Sequence, residues 1–88
     1  PTDVLLFEHP KTAMKEISVE ADSFPVNKKI VDLNFPKTAI IAMIKRGEKY
    51  ITPNGATIIE ANDMLIVLSD QQAGIDRVYE CLKLRKDT

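Results

Sequence analysis

The stretch IKRGEKYITPNG, Ile44 to Gly55, carries the choice on which the fold depends. Two basic residues precede a glycine, a lysine and a tyrosine follow, and the run closes on Pro53-Asn54-Gly55. A loop built to cradle phosphate needs several glycines leading into a helix N-terminus, with a lysine and a hydroxyl there. The residues after Gly55, ATIIE, are instead strand formers. Gly47 lies between two apolar runs, where glycine supplies the positive φ of a tight turn. Asn54-Gly55 is among the strongest short hairpin signals. The stretch therefore reads as two hairpin turns flanking a strand at EKYIT, with a further strand at TIIE.

Outward from there the periodicities are clear. TAIIAMIKR (Thr38–Arg46) and DMLIVLSD (Asp63–Asp70) are apolar on both alternating faces, the mark of strands central to a sheet or to a subunit interface. MKEISVEA (Met14–Ala21) alternates strictly, with Ile17, Val19 and Ala21 on one side and Glu16, Ser18 and Glu20 on the other. That is a half-buried strand. Val26, Ile30 and Leu33 recur at helical spacing, with Asn27 near the start and Pro36 beyond the end, and predict a short amphipathic helix over VNKKIVDLN. Ser69 with Gln72 forms a capping-box pattern ahead of Ile75, Val78, Tyr79 and Leu82, a second helix. Lys83, Arg85 and Lys86 beyond it suit the negative end of its dipole. Residues 1–12 read as a linker that carries a short strand at VLLF, residues 13–84 as the domain, and 85–88 as a tail. The expected fold is α+β: a small βαβββ(β)α sandwich of a mainly antiparallel sheet with two helices. The two runs apolar on both faces demand more cover than two short helices supply, so a dimer is expected.

Composition bounds the function. At 88 residues, 44% hydrophobic and 28% charged, the chain folds as one small domain. A domain of this size buries only about 60–65% of its unfolded surface and gains from oligomerisation. Its net charge of −1 is expected to exclude a nucleic acid polymer as partner. No apolar run reaches the roughly 18 residues of a membrane span, so no direct insertion is expected. The chain opens at Pro1 without a methionine or a leader, and excision from a longer protein is the expected origin. Cys81, the single cysteine, fits a reducing compartment and a packing role. His9 is the only histidine, which leaves no partner for a metal site or a catalytic triad. Glu16, Glu20 and Asp22 could gather a hard cation, yet they read first as a solvated strand edge. Lys45, Arg46 and Lys49 are divided by Glu48 and by strand alternation. No residue set supports catalysis, and the chain is not expected to be an enzyme.

SFPVNKKIVDLNFPKTAIIAMIKRGEKYITPNGATIIEANDMLIVLSD closely resembles the TrkA-C domain, the C-terminal half of the regulator-of-K+-conductance (RCK_C) module. The matching positions are Lys28, Asp32-Leu33, Ile40 to Ile44 with Arg46-Gly47, then Ile51, Pro53, Gly55 and Thr57, and Asp63 with Leu65 and Val67. Asn27 and Asn62 stand where that family usually has glycine. Asparagine is the other residue that tolerates left-handed backbone. The short NFPKTAII connection is most similar to copies fused to monovalent cation/proton antiporters. The resemblance implies a homodimeric regulatory domain on the cytoplasmic face of the inner membrane, controlling potassium or sodium transport together with the transmembrane part of its parent chain. It also implies a ligand site near the two-fold axis, where some members bind cyclic di-AMP. By motif position the candidates are Leu33, Asn34, Phe35, Lys37, Thr38, Ile40 and Pro53, with Phe35 facing a base and Lys37 and Thr38 holding a phosphate. The alternative is a purely structural dimerisation module without a small ligand.

Overall fold

Residues 13–86 are described by a computed structural model. The linker, its VLLF segment and His9 lie outside the described residues, as does the end of the tail. Four strands form one antiparallel sheet in the order β1-β4-β2-β3. They are β1 (Ala13–Ser18), β2 (Ala39–Arg46), β3 (Lys49–Ile51) and β4 (Met64–Ser69). The two runs that are apolar on both faces, β2 and β4, occupy the centre. One α-helix, α1 (Gln72–Leu82), packs on one face of the sheet against β4, β1 and β2. Its Ile75, Val78 and Leu82 meet Leu65 and Val67 of β4, Ile44 of β2 and Ile17 of β1 in a single core.

A β-bulge sits in β2. Ala39 and Ile41 pair with Ser69 and Val67, whereas Met43 and Ile44 pair with Ile66 and Leu65, so Ala42 is an extra residue. The result is that Ala39, Ile41 and Ile44 face the helix, while Ile40, Met43 and Lys45 face the other way. Gly47 opens the two-residue connection from β2 to β3 with φ 61°, the conformation expected of it.

Four expectations are corrected. The first helix is only a 3₁₀ turn, Ile30–Leu33. Its backbone donors are spent outward: Ile30 N–H on Thr57 O at 3.0 Å, Val31 N–H on Gly55 O at 2.9 Å and Asn27 N–H on Ile59 O at 2.7 Å. Groups committed to a neighbouring segment cannot close i→i−4 bonds. TIIE is accordingly no strand but a single bridge, Ile58 to Lys29. Pro53-Asn54-Gly55 makes no second hairpin, because the Asn54 side chain accepts from Ala56 N–H at 2.8 Å and turns the chain toward the 3₁₀ turn. Ser69 does not cap α1 through a capping box. It ends β4, and its hydroxyl donates to Thr38 O at 2.8 Å and accepts from Gln71 N–H at 3.3 Å. At the far end Lys83 is the left-handed residue after the helix, with its ammonium over the Phe24 ring, and Lys86 pairs with Asp76. No basic residue lies in the last helical turn.

The asparagine reading holds. Asn27 and Asn62 have φ of 68° and 70°.

Candidate functional site

Two shallow cavities flank the start of β2. The first, about 260 Å³, lies between Ile30 and Phe35 of the turn segment, Pro53, and Ala39, Ile40 and Ile41 at the strand's start. Asn54 completes its rim, but that side-chain oxygen is already engaged by Ala56 N–H. The lining is thus almost wholly apolar, suited to a flat apolar group such as a nucleobase. The second, about 360 Å³, opens between Lys37-Thr38, Ile40, Leu68 and Ser69-Asp70. Ile40 belongs to both.

Five of the seven candidates come together here. Phe35, Ile40 and Pro53 line the first cavity, and Lys37, Thr38 and again Ile40 line the second. Lys37 is exposed and free to swing over the rim, whereas the Thr38 hydroxyl is buried without a hydrogen-bond partner among the described residues. Leu33 and Asn34 line neither. Leu33 is 3% exposed in the core, and Asn34 is the left-handed residue that ends the 3₁₀ turn, with φ 55°. Such an end bends the chain sharply and delivers Phe35 to the cavity.

Gly74 sets the closeness of the helix to this site. A β-carbon there would collide with the Ser69 side chain and come within 3.0 Å of Thr38 Oγ1. The first turn of α1 therefore rests directly on the residues that open β2.

Sequence reasoning missed the clasp at the other end of β2. Asp63 is fully buried, and Arg46 grips it with two bonds, Nε to Oδ1 at 2.9 Å and Nη2 to Oδ2 at 2.8 Å. Arg46 also reaches Glu60 at 3.0 Å and donates to Ile58 O at 3.0 Å. Burial alone would push the Asp63 carboxyl up. Hydrogen bonds from Arg46 and from Glu60 N–H, helped by the guanidinium charge, outweigh burial and hold it below its ordinary value. The Asp63 bonds in turn raise the Arg46 guanidinium. Both residues stood in the family pattern, but nothing local in the sequence couples positions seventeen apart.

Other candidate chemistry does not assemble. Among the described residues no group of three or more His, Cys, Asp or Glu side chains converges on a common point. Cys81 donates to Val78 O, and burial pushes its thiol up to about 11, the state of an unreactive packing residue. Lys45 lies over Tyr50 while Arg46 turns to Asp63, so the basic cluster is indeed split. No helix among the described residues is long and apolar enough to cross a membrane.

An open four-stranded antiparallel sheet with one C-terminal helix and an apolar hollow beside the second strand defines a small ligand-sensing type of α+β module. The chain belongs to the TrkA-C domain family, whose model matches residues 14–83; the family is regulatory and non-catalytic. It is 37% identical over 76 residues to a Trk system potassium uptake protein TrkA homolog of Archaeoglobus fulgidus, and 30% identical over 74 residues to TrkA homolog 2 of Methanosarcina mazei. The match covers 84% of this chain in each case, and the chain spans 17% and 16% of those proteins. Among solved structures it is similar to the RCK_C domain dimer of S. agalactiae BusR in complex with c-di-AMP. That match has a TM-score of 0.67 and 29% identity and covers 83% of this chain and 99% of that one.

A second BusR structure corrects the expectation on nucleic acid. BusR in complex with its busAB-promotor DNA matches with a TM-score of 0.70 and 26% identity over 99% of this chain and 46% of that chain. A protein carrying this fold does engage DNA, so exclusion of a nucleic acid polymer on net charge is overturned. The charge of one small domain reports on that domain's surface and not on the remainder of a chain more than twice as long.

Proposed function

We propose that this chain is the homodimeric regulatory domain of a monovalent cation transport system, serving potassium or sodium movement at the cytoplasmic face of the inner membrane. On this reading residues 13–84 form the sensing domain, and residues 1–12 link it to the membrane part of an antiporter. Cyclic di-AMP, or a ligand of like chemistry, sits at the dimer interface with one base against Phe35, Ile40 and Pro53 and its phosphates near Lys37 and Thr38. The carrying observation is the apolar hollow at the start of β2 with a free cation at its rim. The similarity to a c-di-AMP-bound domain dimer supports it. A ligand that favours one dimer geometry shifts the transporter's equilibrium only by its differential affinity, typically about 1–3 kcal/mol.

The purely structural module draws support from Leu33 and Asn34, which the fold spends on core and turn. Isothermal titration calorimetry separates the two readings. Heat at one cyclic di-AMP per two chains, lost in Phe35→Ala and weakened in Lys37→Ala, is the expected result. Absence of heat up to roughly 50 µM ligand sinks this ligand.

A further inference from the structure

We infer that a second copy of this chain docks on the open face of the sheet along the row Met14–Leu68–Ile40, and that this docking completes the Phe35–Pro53 cavity. The inference rests on the dimeric sensing role proposed above. The row is a consequence of strand register: Met14 of β1 and Ile40 of β2 both pair with Leu68 of β4, one from each side. All three point away from α1, and they are 64%, 59% and 40% exposed for Met14, Ile40 and Leu68. Behind them the same face continues with Ile66 and Met43, half-buried, before it turns polar at Ser18 and Lys45.

The occupant follows from the shape and chemistry of this row. It is uncharged and linear, so nothing in it selects an acidic or basic partner. Its apolar centre is Leu68, with one aliphatic side chain on either hand. A two-fold axis running along the strands, through Leu68, lays the row on its own copy: Leu68 on Leu68, and Met14 of each copy on Ile40 of the other. Two sheets stack in this way about 10 Å apart. A closed two-fold contact uses one patch twice and leaves no sticky surface.

Continuity with the site is supplied by Ile40, which is at once the end of the row and a wall of both cavities. At about 260 Å³ the first cavity falls below the roughly 300–1,000 Å³ usual for small-molecule sites. It holds one half of a dinucleotide and not the whole. A copy seated on the row brings its Met14 over Ile40, covering the open rim and facing the second hollow toward the first. Each copy thereby finishes the other's site, and dimerisation and ligand binding strengthen each other.

The test uses the 88-residue chain in sedimentation equilibrium without ligand, with Leu68→Lys as the probe and Val31→Lys as its control. Val31 is as exposed as Met14 but lies on the 3₁₀ turn, off the sheet. Leu68→Lys places two like charges on the axis and should weaken the dimer at least about 100-fold, with an unchanged circular dichroism spectrum. Val31→Lys should dimerise as the parent does. In a Cys81→Ser background, Leu68→Cys should cross-link to its own copy on mild oxidation, a readout that holds even if the lysine variant misfolds. A Leu68→Lys protein that dimerises normally, or a Leu68→Cys protein that fails to cross-link, overturns the docking face. Cyclic di-AMP titration is then added. If the parent binds and monomeric Leu68→Lys binds equally well, completion of the site is overturned. If the parent dimerises through the row and binds nothing, the ligand assignment fails while the docking face stands.

Discussion

At its Arg46 end β2 is fastened by a two-pronged ion pair to a buried carboxylate, whereas at its Ala39 end it is bordered by apolar hollows and an unpartnered hydroxyl. The first end has every polar group engaged and no room for a visitor. The second has open volume, an exposed aliphatic wall and an exposed lysine. Rigidity at one end is what makes vacancy at the other tolerable, since both sit on the same central strand and share its register. The difference separates a residue that the fold needs from residues that are free to serve a ligand.

The comparison breaks most severely if the clasp is cut. Arg46→Ala leaves Asp63 buried without a counter-charge and should cost about 2–4 kcal/mol in urea unfolding, somewhat less than a wholly buried pair because Arg46 keeps one side in water. Arg46→Lys should recover only part, for an ammonium cannot grip both oxygens at once. Next comes Gly74→Ala. Helix propensity alone would favour it by about 1 kcal/mol, but the added carbon strikes Ser69 and Thr38, so a net loss of about 1–3 kcal/mol is expected. A stabilised Gly74→Ala protein would show that α1 can lift from the site at little cost.

Acid offers a graded test. Because the folded state holds the Asp63 pKa below its ordinary 3.8, the clasp's contribution is complete above that value and is lost as pH falls through the lower folded one. The stability gap between the parent and Arg46→Met should therefore be constant near neutrality and close only below the ordinary carboxylate range. The smallest effect belongs to the open end. Lys37→Ala should change stability by no more than about 0.5 kcal/mol while weakening cyclic di-AMP. A large stability loss there would mean that the lysine serves the fold and that the contrast between the ends is false.

What could be read in the sequence was whatever is set by near neighbours. Strict alternation placed β1, two doubly apolar runs placed β2 and β4 at the centre, and the Ile75–Leu82 spacing placed α1. Asn27 and Asn62 announced left-handed turns because they replace glycine. The first helix could not be judged this way, since Val26, Ile30 and Leu33 suit a 3₁₀ turn as well as an α-helix. The deciding fact was that residues 55–59 arrive to take the backbone bonds, and that is non-local. The same limit hid the Arg46–Asp63 pair, while Phe35, Ile40 and Pro53 were found because a family pattern carried their long-range arrangement.

The bulge at Ala42 has a bearing on how such a strand can change over time. In an ordinary strand, loss or gain of one residue exchanges the two faces for everything downstream, sending the core into water. In β2 the extra residue already stands outside the alternation: without Ala42, Ile41 would still face the helix, Met43 the open side and Ile44 the helix again. Ala42 is thus the place where this lineage can shorten its central strand by one residue and keep both surfaces, the buried one and the one offered to a partner, spelled as they are.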